Sequence, residues 1–313
     1  ALIVTAIVAV ALATLAGLAL ATRNYSKPHY TPYVNAAYVP PDRAVRAGLP
    51  TFTAAVVDPS SCAAGFPADF IWGLGTAAYQ IEGGVADFGR SPSIWDNFSH
   101  TPGMTHNGDT GDVACDHVHR WRDDIGMMSW LNLRHYRLSL SWSRVMRWDA
   151  EKRSMVPNEP GIGFYLELLE GLVAAGITPH VTLYHWDLPL VLHEEMGGWH
   201  TPGNADLIAQ FVRYARLCFE RFGHLVPTWF TFNEPWTFTV GGYSAGNHAP
   251  GCVPFQPKGG PCEHGDTHPY IVAHNVLLAH GRAVALYRGD FARSMGGRIS
   301  ITLPCEIGTA ASD

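Results

Sequence analysis

The sequence predicts an α/β fold, the first five units of a closed (β/α)8 barrel preceded by an apolar N-terminal helix. Short apolar strands alternate with amphipathic helices from Phe66 onward, an order that gives parallel strands joined by crossover helices. Gln80, Arg137, His185 and Glu234 fall at or near the C-terminal ends of separate strand candidates. A barrel gathers its chemistry on that face. The chain has 313 residues, 47% of them hydrophobic and 12% aromatic, ample for a globular core. Strand count alone does not separate a barrel from a doubly wound sheet. The convergence of polar residues from several strands on one face favours the barrel.

The elements follow in order. Residues 1–22 carry no charge and almost no polar atom, and a helix of that length spans a bilayer core of roughly 30 Å. The segment reads as a transmembrane anchor, or as a signal peptide cleaved near Ala19-Leu20-Ala21. Residues 23–64, rich in Pro, Ala and Tyr, read as a linker, and residues 65–313 as the barrel portion. Strands are expected at 70–77, 135–140, 178–184, 228–232 and 298–303. Helices are expected at 112–130, 162–175, 205–222 and 269–287.

A formal net charge of −6 with no basic stripe argues against nucleic acid as a partner. The sequons Asn24-Tyr25-Ser26 and Asn97-Phe98-Ser99 agree with entry into the secretory pathway, membrane-anchored or secreted. None of the six cysteines forms a C-x-x-C pair and no H-E-x-x-H occurs, so no metal and no cofactor is expected. Cys252 and Cys262 flank a Pro/Gly-rich segment; they are either a disulfide or two free thiols.

The most informative stretch is Thr228-Trp-Phe-Thr-Phe-Asn-Glu-Pro235. An apolar strand ends on an amide beside a carboxylic acid. That pair can hold a hydroxyl and protonate the neighbouring oxygen. The same tripeptide at Asn158-Glu159-Pro160 follows the polar stretch 149–154, so Glu159 reads as a solvated or helix-start acid. Arg137 lies within an apolar strand and calls for a carboxylate in the same cavity. Arg144 is either a second such cation or solvent-exposed. His185 beside Trp186 offers a polar group and a flat apolar wall, or simple core packing. Gln80 offers an amide to two adjacent hydroxyls, or is a loop residue. Gly73-Leu-Gly75 mimics a dinucleotide fingerprint, but no helical face follows it, which discourages a nucleotide-binding oxidoreductase. Asp187, Asp112 and Asp116 are the other acids near strand ends, the last two reading as helix-start residues.

Several longer runs resemble family 1 glycoside hydrolases, the β-glucosidase family, in the same order along the chain. They are Phe70-Ile-Trp-Gly-Leu-Gly-Thr-Ala-Ala-Tyr-Gln-Ile-Glu-Gly-Gly84, Ser93-Ile-Trp-Asp96, Tyr136-Arg-Leu-Ser-Leu-Ser-Trp-Ser-Arg144, Thr182-Leu-Tyr-His-Trp-Asp-Leu-Pro189, Thr231-Phe-Asn-Glu-Pro-Trp236 and Tyr270-Ile-Val-Ala-His-Asn275. The resemblance implies a (β/α)8 TIM barrel that hydrolyses β-linked glycosides with retention. It implies Glu234 as acid/base, Asn233 as the contact to the sugar 2-hydroxyl, and Gln80, His185 and Trp186 as contacts to the non-reducing sugar. Arg137 resembles the cation that orients the nucleophile. Glu234 is intact where thioglucosidases of the family carry Gln, which favours ordinary O-glycosides. The family's nucleophile glutamate follows the seventh strand, so the 313-residue chain by itself is expected to be an inactive fragment. The alternative expectation is a non-catalytic, membrane-tethered sugar-binding or vestigial barrel. Leu303-Pro304-Cys305 departs from the family's Leu-Asn at the end of the fifth strand.

Overall fold

A computed structural model describes residues 70–253, 262 and 266–305, all within one compact unit, Pro59–Asp313. The apolar segment 1–22, the linker 23–64 and the Asn24 sequon lie outside the described residues. Among the described residues no helix is long and apolar enough to cross a membrane.

In chain order the elements are β1 (Gly73–Gly75), α1 (Ala78–Ile81), α2 (Ile94–His100), α3 (His117–Trp130), β2 (His135–Ser139) and α4 (Trp142–Val145). Then come β3 (Met146–Asp149), β4 (Ser154–Pro157), α5 (Glu159–Ala174), β5 (Thr178–Tyr184), α6 (Leu190–Met196) and α7 (Ala205–Phe222). The last are β6 (Thr228–Asn233), α8 (Pro235–Val240), α9 (His268–Leu286) and β7 (Arg298–Thr302). Five strands form one sheet in the order β1-β2-β5-β6-β7, every neighbouring pair parallel. Spatial order follows chain order without a reversal. A doubly wound sheet reverses at its switch point, so this arrangement is the incomplete barrel that the sequence predicts.

Helix α7 shows how the sequence builds the layer behind the sheet. Leu207, Phe211, Tyr214, Ala215, Cys218, Phe219 and Phe222 recur at three- and four-residue spacing and are all buried. The Asn204 side chain caps the helix, accepting from the Leu207 N–H at 3.0 Å. Phe211 stacks on Phe232 with ring centroids 4.5 Å apart, and Phe219 meets Trp229 edge-on at 5.1 Å. Strand β6 is therefore anchored from behind, and its last residues are presented at the C-terminal rim.

Helix α5 carries two glycines with opposite consequences. A Cβ at Gly161 would lie 1.8 Å from the Arg144 carbonyl oxygen, whereas one at Gly163 meets nothing within 4 Å. Gly161→Ala is expected to lower stability by more than about 1 kcal/mol through overpacking. Gly163→Ala is expected to be neutral or to stabilise by up to about 1 kcal/mol through helix propensity. Denaturant midpoints of the two variants check this; equal effects would refute the packing.

Four expectations are corrected. Gln80 lies not in a loop but in the single helical turn α1, which opens once Ala77 has left the strand. The first strand shrinks from 70–77 to Gly73–Gly75, paired with β2. The helix expected from 112 begins at His117, because Ala114 and Asp116 take left-handed backbone (φ 46° and 55°). The polar stretch 149–154 closes an antiparallel hairpin, β3–β4, with Asp149 and Ser154 paired at the base of its turn. Glu159 opens α5 as a helix-start acid with its side chain 63% exposed, paired to Arg221 at 2.8 Å. Cys252 and Cys262 are bridged, their Cα atoms 5.3 Å apart.

Candidate active site

Strand β6 delivers Asn233 as its last residue, and Glu234 follows as the cap of α8. Pro235 occupies the first helical position, where its missing N–H costs nothing. Glu234 therefore carries the turn between strand and helix in left-handed geometry, φ 45° and ψ 64°. Such backbone costs a non-glycine residue roughly 1–3 kcal/mol and persists where the surroundings over-determine it. Here the Glu234 N–H donates to the Thr302 carbonyl at 2.9 Å. The Thr237 hydroxyl donates to Glu234 Oε2 at 3.2 Å.

Arg137 on β2 reaches across the sheet. Its Nε donates to Thr182 Oγ1 at 3.0 Å, and its Nη2 to Asn233 Oδ1 at 2.6 Å and Thr302 Oγ1 at 3.2 Å. The guanidinium also lies over Phe230, 5.2 Å from the ring centroid. No carboxylate hydrogen-bonds to Arg137 among the described residues. Neutral oxygens from three other strands accept from Nε and Nη2 instead. Burial pulls the Arg137 pKa down, and the nearby Glu234 charge opposes that shift.

The bond from Arg137 fixes the Asn233 amide: Oδ1 accepts, so Nδ2 is the donor to His185 Nε2, 3.2 Å away. With Nε2 accepting, the neutral His185 ring carries its proton on Nδ1. Burial first, and the Arg137 charge second, push the His185 pKa down to about 4. The ring is neutral at ordinary pH. Trp186 completes the cluster, donating from Nε1 to the Asn233 carbonyl at 2.8 Å. Its own backbone is left-handed, φ 76°. Two adjoining strand ends thus hold left-handed residues, Trp186 and Glu234, tied together through Asn233.

Arg137, His185, Trp186 and Asn233 are joined directly, with Glu234 next in the chain. Gln80 sits exposed on α1 after β1 and bonds none of them among the described residues. Arg144 proves to be a fully buried cation, ion-paired to Glu82 at 3.1 Å. Asp187 is 1% exposed, with its carboxyl pKa raised well above the ordinary range by burial, so it does not line the site as a solvated acid. Among the described residues no cluster of His, Cys, Asp and Glu could hold a metal ion. Sequence reading missed Thr182, Thr302 and Thr237. Thr182 could have been found, since it shares strand face with His180 and Tyr184 at period two.

A second histidine extends the acid-sensitive set. His200 packs between His193 and His268, ring centroids 5.3 and 4.9 Å away. Burial, then those two neighbours, lower its pKa to about 4. As pH falls from about 6.5 toward 4, the unfolded chain takes up a proton that the fold refuses, so this contribution to stability is lost. Buried Asp187 works in the opposite direction. The expected result is therefore a difference: acidification from pH 7 to 5 destabilises His200→Gln less than the parent. Equal losses, read from urea midpoints, would contradict it.

The chain matches the profile of glycosyl hydrolase family 1 over residues 62–312. It is 48% identical over 238 residues to β-glucosidase 1B of Phanerodontia chrysosporium, covering 76% of this chain and 43% of that protein. It is 43% identical to raucaffricine-O-β-D-glucosidase of Rauvolfia serpentina, covering 81% and 50%. A rice β-glucosidase, solved as a Glu→Gln mutant in a covalent complex with Glc, superposes with TM-score 0.70 at 38% identity, covering 76% and 48%. The chain spans about half the length of the curated relatives it matches. A profile match over most of the chain and relatives at this identity lead to one assignment: the chain belongs to glycosyl hydrolase family 1.

Proposed function

We propose that the full-length protein is a retaining β-glucosidase in which Glu234 is the proton donor. The observation that carries this reading is the bonded cluster Arg137–Asn233–His185–Trp186 beside Glu234, built from the ends of separate parallel strands. Glu234 protonates the glycosidic oxygen as the aglycone leaves and later takes a proton from the attacking water. Asn233 has one N–H and one oxygen lone pair left after its two bonds, enough to hold a sugar hydroxyl next to that acid. His185, neutral at working pH, does not compete as a proton donor. Trp186 supplies an apolar face for the ring. Gln80 belongs to the same rim through α1 and would meet the sugar directly.

Among the described residues no second carboxylate bonds into this cluster. In this reading the nucleophile comes from the later strands, and Arg137 is placed to orient it. The covalent Glc complex of the rice relative supports a glycosyl-enzyme intermediate. The test is the configuration of the first product. Full-length protein acting on an aryl β-glucoside is expected to release β-glucose first, seen by proton NMR before mutarotation. Initial α-glucose would contradict retention, and no turnover of any β-glycoside would favour a sugar-binding role.

A further inference from the structure

The Asn97-Phe98-Ser99 sequon plays no part in the chemistry above, and its geometry is informative. It lies within α2, and its three residues are divided between surface and core. Asn97 is exposed, while Phe98 and Ser99 are only 4% and 5% exposed. The Asn97 side-chain amide has no hydrogen-bond partner among the described residues. The Ser99 hydroxyl is buried among hydrogen-bond partners: it lies 2.8 Å from Tyr79 Oη and 3.3 Å from the Asp96 carbonyl oxygen. Behind it Tyr79 also bonds the Trp95 carbonyl at 3.1 Å.

We infer that Asn97 carries an N-linked glycan, and that the glycan is attached before α2 folds. The inference rests on entry into the secretory pathway, with which the Cys252–Cys262 bridge and the uncharged N-terminal run agree. The donor class is a lipid-pyrophosphate-linked oligosaccharide. Asn97 Nδ2 attacks the anomeric carbon, a C–N bond forms, the C–O bond to pyrophosphate breaks, Nδ2 loses one proton and the lipid pyrophosphate leaves. No electron is transferred to an oxidant. The folded chain tolerates the product, because Asn97 faces solvent and nothing packs on its amide. The folded chain cannot be the substrate, because a transferase that reads the sequon hydroxyl finds Ser99 buried and bonded. Modification therefore belongs to the nascent, extended chain.

The experiment uses full-length protein made with its own leader in a eukaryotic secretory host. A peptide spanning residue 97 is expected to carry a glycan that peptide:N-glycosidase removes, leaving Asp. Asn97→Gln is expected to abolish that mass shift, and Ser99→Thr to preserve it. In a second arm, folded unglycosylated protein from bacteria and a peptide covering residues 90–105 are offered to purified oligosaccharyltransferase. The peptide is expected to be modified and the folded protein not. A disulfide-bonded, secreted product with bare Asn97 would overturn the site, and equal modification of folded protein and peptide would overturn the order of events. Neither result depends on whether the protein hydrolyses β-glucosides, so this inference and the functional reading fail separately.

Discussion

Glu234→Gln in the full-length protein is expected to slow hydrolysis of cellobiose by roughly 10²–10⁴-fold, the usual contribution of general acid catalysis. Glycosylation of the enzyme by a dinitrophenyl glucoside is expected to be nearly preserved. The difference arises at the leaving group. An alkoxide must be protonated as it departs, whereas dinitrophenolate leaves unaided. Glutamine is close in shape and keeps an acceptor for the Thr237 hydroxyl, so the left-handed turn at residue 234 has no steric reason to collapse. The control is the same substitution in the same tripeptide elsewhere: Glu159→Gln removes an exposed ion pair with Arg221 and touches no site residue. Its expected effect on either rate is a small factor. Steady-state and burst kinetics with both substrates check the pair of variants. If Glu159→Gln were the crippling change, the reasoning from strand end to proton donor would be wrong.

Arg144→Ala is expected to cost about 3–5 kcal/mol of stability, the range for stripping one partner from a buried ion pair. Arg144 is fully buried and donates to Glu82 and to the carbonyls of Gly83, Gly84 and Asp87. Removing it leaves the Glu82 carboxylate, only 6% exposed, without its cation. The damage is local to function as well, since Glu82 lies two residues beyond Gln80 and anchors the turn that holds it. Replacing both partners by apolar residues, as in Arg144→Met with Glu82→Leu, is expected to recover part of the loss. Arg221→Ala is the contrast: its partner Glu159 is 63% exposed, and the change should cost at most about 1 kcal/mol. Urea midpoints of the three variants decide the matter. A loss under 1 kcal/mol in Arg144→Ala would show that the pair does not anchor the end of α1 to α4.

Periodic elements were legible in the sequence because one face of each is buried. Strand β5 and helix α7 match the expected bounds, and β6 differs by one residue. The β3–β4 hairpin was hidden because its turn is polar and reads like any loop. The late start of α3 was hidden because nothing at Ala114 or Asp116 announces left-handed backbone. At the site, the residues that share a strand end were found, and their partners were not. Arg137 gains its acceptors from Thr182, Asn233 and Thr302, at separations of 45, 96 and 165 residues. Only the parallel register of the sheet brings those oxygens together. The carboxylate that this cation calls for does not bond it among the described residues, where three neutral oxygens accept from Nε and Nη2.

The central claim is that Glu234 is the proton donor and not the nucleophile, and azide distinguishes the two roles. In Glu234→Ala, dinitrophenyl β-glucoside should still form the glycosyl-enzyme, which then waits for a base to activate water. Azide needs no base, so it should raise turnover and trap the sugar from the β face. The expected product, identified by the anomeric coupling in proton NMR, is β-glucosyl azide. If Glu234 were the nucleophile, removing it would open the α face, and azide would displace the β-aglycone directly. α-Glucosyl azide would therefore contradict the assignment.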